Sequence, residues 1–403
     1  MPIPPRLLVF LGLLSILVIS SHIYLYRRLV RDTGRHPTWR RVGLVLWTLL
    51  GATLVTARPL SALLPSAATS ALSQFSWYWM GVATYLLLSV MTLGGVRGLV
   101  EWVARRRAKA PASATLAAPA PVSEERRELL ARAGAGAALA VTGGFSGYGM
   151  WRAFHPPVVN EAEVKLPGLP RVLDGLTIVQ LSDIHVGPLI QRRFMDELVA
   201  RTNALKGDLV CITGDLVDGS VEELGPAAAA LRDLRSRYGT FFCTGNHEYY
   251  SGDEEWAEAL TRMDVTVLRN RFVRVGDAGG SFDLVGVDDW AAARSGFPTR
   301  SYDLAAATRG RDPSRASVLL AHQPAGWREQ AQKAGMGLQL SGHTHGGQFF
   351  PFTGVVAAVW EHDAGFFQEG AHSLYVSRGT GFWGPPLRVG APPEIVRLTL
   401  RAG

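Results

Sequence analysis

The chain has 403 residues, 47% of them hydrophobic, with a formal net charge of +7 and a mean hydropathy of +0.11, enough for a membrane part plus one sizeable water-exposed domain. The charge is unevenly spread: residues 1–159 carry 17 Lys/Arg against 5 Asp/Glu, and residues 160–403 carry 24 against 29. The basic excess therefore sits among apolar segments, where it sets topology, and binding of nucleic acid through bulk charge is not expected.

Four apolar segments come first. Leu7 to Tyr26, Val42 to Leu64 and Trp77 to Val100 are long enough to cross the hydrocarbon core as helices. The third opens with Trp77, Tyr78 and Trp79, residues suited to an interfacial belt. The fourth, Ala133 to Trp151, is weaker and rich in Gly and Ala, with Gly143 and Gly147 offering a packing face; the alternative reading is a Gly/Ala-rich linker. The loop after the first span holds Arg27, Arg28, Arg31, Arg35, Arg40 and Arg41, and the loop after the third holds Arg105, Arg106, Arg107, Lys109, Arg126, Arg127 and Arg132. Both should be cytoplasmic, so four spans put everything after Trp151 on the outer side, and three would leave it in the cytoplasm. Glu125-Arg126-Arg127-Glu128-Leu129-Leu130 resembles an internal twin-arginine export signal; the plainer reading is positive-inside arginines. Residues 108–122, rich in Ala, Pro and Ser, are expected to be a disordered loop. Residues 1–152 are thus expected to be the transmembrane region.

From about Val158 the pattern changes. Strand-like runs at Leu176–Leu181, Leu209–Thr213 and Thr240–Thr244 alternate with helical ones at Arg192–Ala204, Val221–Arg235 and Asp253–Met263, which predicts parallel pairing. Phe272–Val275, Phe282–Val287, Val318–Ala321, Gly337–Ser341, Leu374–Ser377 and Ile395–Leu400 read as further strands. The expectation is an α/β domain over residues 158–403, two packed sheets flanked by helices. Cys211 and Cys243 lie in two of these runs and read as small buried core residues, with a single bridge left open.

Five short motifs follow strand-like runs: Asp183-Ile184-His185, Gly214-Asp215 with Asp218, Gly245-Asn246-His247-Glu248, Ala321-His322 and Gly342-His343-Thr344-His345. Carboxylate oxygens suit hard cations and imidazoles suit Zn, Mn, Fe and Ni, so a mixed Asp, Asn and His set points to transition metals. Spacing of i, i+2 lets both side chains leave one side of an extended backbone. Each motif alone is commonplace; their order along the chain is what carries weight.

On these residues the chain resembles the calcineurin-like metallophosphoesterases, from about Thr177 to Leu400. The resemblance implies a four-layer β-sandwich flanked by helices. It implies that Asp183, His185 and His345 hold one divalent metal, that Asn246, His322 and His343 hold a second, and that Asp215 bridges the pair. The metals would be Mn, Fe, Zn or Ni, generating hydroxide that attacks phosphorus. His247 would protonate the leaving group and Asp218 would orient it. An Arg follows the Gly-Asp-x-x-Asp segment in the protein phosphatase branch; here that position is Gly219. Gly346-Gly347-Gln348 and Ser377-Arg378-Gly379-Thr380-Gly381 instead look like the bacterial membrane-associated phosphodiesterases, which include enzymes related to UDP-2,3-diacylglucosamine hydrolases, and Arg378 would contact phosphate. The aromatic stretch Phe349-Phe350-Pro351-Phe352 and the later Phe382-Trp383 favour a lipid-linked or cell-envelope substrate. The expectation is a multi-pass protein of the bacterial cytoplasmic membrane that hydrolyses phosphodiester or pyrophosphate bonds on the outer face. The alternatives are a phosphomonoesterase or protein phosphatase, and an inactive metal-binding sensor.

Overall fold

A computed structural model describes residues 5–64, 66–108, 123–290 and 301–403. The chain divides into two compact units, Met1–Tyr148 and Gly149–Gly403.

The first unit is helical: α1 (Pro5–Tyr26), α2 (Pro37–Leu63), α3 (Ala67–Ala108) and the start of α4 (Glu124–Phe154). All four are long and apolar enough to cross a membrane. Their apolar side chains point outward: Ile16, Leu17, Val42, Leu49, Val96 and Leu99 are all exposed, the arrangement hydrocarbon solvent requires and water penalises. A small core of Leu25, Val30, Trp47, Leu86, Val90 and Ala138 holds the helices together. His22 donates from Nδ1 to Val18 O (2.8 Å) and accepts at Nε2 from Trp79 (3.1 Å), which pairs both ring nitrogens away from water. The helices outrun the expected spans. The segment Ala133 to Trp151 lies inside the continuous helix α4, not in a linker. Glu125–Leu130 forms the opening turns of α4, where Glu128 pairs with Arg132 and Arg35. Of the loop expected over 108–122, residues 109–122 lie outside the described residues, and Ala108 closes α3.

The second unit carries two six-stranded sheets. The first has the order β1-β12-β2-β3-β4-β5, with β1 (Val158–Leu166), β12 (Glu394–Ala402), β2 (Thr177–Leu181), β3 (Leu209–Thr213), β4 (Thr240–Cys243) and β5 (Val265–Val267). The second has the order β10-β11-β9-β8-β7-β6, with β10 (Gly365–Glu369), β11 (His372–Val376), β9 (Leu338–Ser341), β8 (Ser317–Leu320), β7 (Gly280–Gly286) and β6 (Arg271–Asp277). β2 to β5 are parallel, as are β7, β8, β9 and β11; β12 is antiparallel to β2.

The sheets pack face to face. Ile178, Leu209, Cys211, Phe241, Leu284, Val318 and Leu338 belong to the core between them. Their neighbours Val179, Val210, Ile212 and Phe242 face the other way, against Met195 and Leu198 of α5 (Arg192–Ala204) and Trp256 and Leu260 of the helix Asp253–Thr261. Both faces are covered, so the central strands are buried throughout and mostly apolar instead of alternating. On the far side Val285, Leu319 and Val376 pack against Trp327. The result is the four-layer α/β sandwich. Cys211 and Cys243 are free and buried. The helix expected over Val221–Arg235 is shorter: α6 (Val221–Ala228) passes into a 3₁₀ turn, Ala229–Asp233, near Pro226, which removes one helical donor. β1, β5 and β10 were not foreseen; β1 and β10 are edge strands, with Val158, Val159 and Phe366 exposed, and β5 has only three residues.

Candidate metal centre

Every motif leaves the C-terminal end of a parallel strand: Asp183 after β2, Asp215 after β3, Asn246 after β4, His322 after β8, and His343 and His345 after β9. Neighbouring parallel strands end side by side, so residues far apart in sequence meet at one edge of the sandwich. The loops stay paired beyond the strands: Asp183 N donates to Gly214 O (3.1 Å), His185 N to Asp215 O (3.1 Å), and Gly342 N to His322 O (2.8 Å).

The backbone there is forced. Asp183, His185, Asp215, His343 and His345 all have φ between 50° and 71°, a left-handed conformation that costs a non-glycine residue roughly 1–3 kcal/mol. A side chain at Gly342 would strike Ser182 and Asp183, and one at Gly245 would strike Asp215. These glycines are therefore required for the close approach of the loops.

The side chains converge as two overlapping sets. His185 Nε2 and His345 Nε2 lie 3.1 Å apart, and His345 Nε2 is 3.4 Å from Asp183 Oδ1. His343 Nδ1 lies 3.2 Å from His322 Nε2 and 3.0 Å from Asn246 Oδ1. Asp215 Oδ2 stands between them, 3.2 Å from His322 Nε2 and 3.8 Å from His185 Nε2. Three groups are close enough to hold a metal ion: Asp183, His185 and His345; Asp215, His322 and His343; and His185, Asp215 and His247. The donors fit this use. His322 gives its Nδ1 proton to Thr213 O (2.8 Å) and His185 gives its own to Asp218 Oδ1 (3.0 Å), which turns each Nε2 lone pair inward.

Burial and charge shape the site. Burial pushes the Asp183 carboxyl above its ordinary value. Burial also opposes ionisation of Asp215, but His322, His247 and His185 around it hold its pKa well below the usual range. Burial and the neighbouring His322 push His343 down to about 3, leaving a neutral imidazole, the form that ligates. His247 goes the other way: burial lowers it, yet its 2.6 Å hydrogen bond to Asp218 and the Asp215 charge raise it to about 9.

All seven expected ligands thus meet in one cluster, with His247 and Asp218 beside it. Asp218 Oδ1 serves both His247 and His185, so its contact with a ligand histidine goes beyond the single partner expected. Arg378 sits at the edge, and its guanidinium is paired with buried Glu394 (2.8 Å). Sequence reading missed two residues behind the cluster. Buried Glu248 accepts from the amides of Asp215 (3.0 Å), Leu216 (2.8 Å) and Gly245 (2.6 Å), locking two motif loops together. It stands in the Gly-Asn-His-Glu motif, but the need of three loop amides for an acceptor shows only in the fold. Buried Arg388 lies 3.0 Å from His345 Nδ1 and donates to Arg378 O (2.7 Å); no motif marks it. Around the half-buried His247 and His343 stand the rings of Tyr250, Trp383 and Trp360.

Comparison with known proteins agrees with this geometry. Residues 176–347 match the calcineurin-like phosphoesterase family. A transmembrane protein with metallophosphoesterase domain from Bos taurus is 33% identical over 98% of this chain and 90% of its own, and its counterpart from Danio rerio is 31% identical over 97% and 89%. A metallophosphoesterase of Helicobacter pylori is 39% identical over 62% of this chain and 66% of its own. The similarity is therefore not confined to bacteria, and with the two vertebrate proteins it runs through this chain's helical unit. With Asp and His clusters at the strand ends, Asn246 beside His343 and relatives more than 30% identical along nearly the whole chain, the chain belongs to the calcineurin-like metallophosphoesterases.

Proposed function

We propose that the protein is a membrane-tethered phosphodiesterase in which two divalent metals occupy the strand-end cluster, Asp183, His185 and His345 holding one, Asn246, His322 and His343 the other, and Asp215 both. The observation that carries this reading is Asp215 Oδ2, shared between the two sets. Bound there, the metals supply Lewis acidity and lower the pKa of water toward about 7. The protein's own part is to place and move protons. His247, raised to about 9, is protonated at neutral pH and points Nε2 toward Asp215 (3.9 Å), so it donates to the leaving oxygen. Asp218 fixes that ring through Nδ1 and stabilises its charged form. Arg378 keeps Nη1 on Glu394 and has further guanidinium donors to offer a phosphate.

Gly219, in place of an arginine clamp, supports a diester over a phosphoprotein. The rim supports an apolar substrate. Phe350, Phe352, Val355, Val359 and Trp383 are exposed, and the helix Phe352–Val359 buries none of its residues, a patch that suits acyl chains or a bilayer surface. Residues 1–152 form the membrane anchor in this reading, and 158–403 the enzyme. With four spans and both arginine-rich loops in the cytoplasm, the enzyme faces the outer side of the membrane, in a bacterium the periplasmic side.

The test is turnover by the purified full chain in detergent, with Mn, Fe, Zn or Ni. Hydrolysis of bis-p-nitrophenyl phosphate, lost in His247→Ala with metal content unchanged, supports the reading. Metal binding without turnover of any ester would make the protein a sensor. For the lipid preference, the anchor-free domain is compared on the soluble diester and on phospholipid in micelles; equal relative activity would remove it.

A further inference from the structure

The helical unit contains a cavity of about 580 Å³ between the π-helical turn Arg27–Arg31 that follows α1, and helices α3 and α4. Its position follows from chain direction: α1 and α3 end, and α4 begins, at the edge where the arginines cluster. One part of its lining is cationic, with Arg28, Arg31, Arg97 and Arg127. Only two carboxylates stand among them, Asp32 and Glu101. Asp32 is shared by Arg28 and Arg31 at 3.6 Å each, and Glu101 is held by Arg97 at 2.8 Å. Arg127 makes no ion pair among the described residues. The lining therefore carries two positive charges more than negative. The other part is apolar, formed by Leu29, Leu93 and Leu130. Space is left between them because the facing positions are glycines: a methyl group built on Gly98 or on Gly134 meets no atom within 4 Å.

We propose that this cavity binds an anionic phospholipid, the four arginines holding its phosphate and the leucines its first methylenes, with the rest of the chains in the bilayer. Guanidinium groups match phosphate oxygens in geometry and charge, and basic pockets between membrane helices take acidic headgroups. A free inorganic anion would satisfy the arginines but leave the apolar half unused. The proposal rests on the membrane assignment of the four helices and not on the catalytic reading, so each can fail alone.

Native mass spectrometry of the full chain in detergent tests it, with dioleoyl phosphatidylglycerol and dioleoyl phosphatidylcholine in competition. The expected result is preferential retention of phosphatidylglycerol, weakened roughly fivefold by Arg127→Gln and fivefold again by adding Arg31→Gln, and largely kept in Arg127→Lys. Gly98→Leu leaves every charge in place but fills the cavity, and should abolish the preference. Each variant is scored only as a monodisperse peak in size exclusion. Equal retention of the two lipids would overturn the proposal, as would variants that hold phosphatidylglycerol as the wild type does. Displacement of the lipid by inorganic phosphate at equal concentration would also overturn it and make the cavity a free-anion site.

Discussion

The two units of this protein solve opposite solvation problems with one chain. In the helical unit apolar side chains such as Ile16, Val42 and Leu99 face outward, and the interior includes a polar contact, Trp79 to His22. In the catalytic unit apolar side chains fill three buried layers, and the costly polar groups, Asp183, Asp215, His322 and Glu248, are buried at one edge. Burying such groups without partners costs several kcal/mol; at the strand ends each is paired, and together they make a site for cations. Ionisable groups in the first unit collect at the helix ends instead. The comparison teaches that buried charge is affordable only where converging backbone ends supply partners, which parallel strands do and a lipid-facing helix surface does not.

That contrast can be broken most sharply at its centre. Asp215→Ala removes the carboxylate shared by both ligand sets, and the expected result is a fall in kcat of about 10³-fold or more, with metal content by mass spectrometry falling as well. Retained metal and activity would mean that the two sets are independent. His247→Ala should lower kcat roughly 10²–10⁴-fold while leaving metal content intact, separating proton transfer from ligation; loss of metal would place His247 among the ligands.

Arg388→Met tests whether the catalytic unit depends on a buried cation. It leaves the carbonyl oxygens of Arg378 and Gly381 without their donor, and the expected destabilisation is about 2–4 kcal/mol, read as a lower denaturation midpoint. Asp218→Asn should cost roughly 10–100-fold in metal affinity or activity, because it weakens the support of His185 and His247 together. The smallest effect is expected in the helical unit, where Trp79→Phe removes the bond to His22 and should cost about 1 kcal/mol of stability in detergent. A larger loss there would show that membrane helices lean on polar contacts as heavily as the sandwich does.

Much of this protein is legible in its residues. Four apolar segments read as spans because length and hydropathy are local properties. The central strands read correctly because both faces of a parallel sheet are buried, which leaves a continuous apolar run. The motif residues that meet in the strand-end cluster could be picked out because each motif carries its own donors, and their order resembles a known family. Edge and short strands such as β1 and β5 were less visible, since few or partly exposed residues leave no period to detect.

Other features belong to tertiary structure alone. Only the side-by-side ending of β2, β3, β4, β8 and β9 brings Asp215 between His185 and His322. Glu248 acquires a role because three amides from two loops converge on it, and Arg388 because the chain returns behind His345. That Arg378 pairs with Glu394 is likewise set by the fold. Which chemistry the donors can perform is written in the residues themselves, since that depends on residue type. Which atoms meet, and which partner each charge keeps, was decided by packing, because those choices depend on distances between segments far apart along the chain.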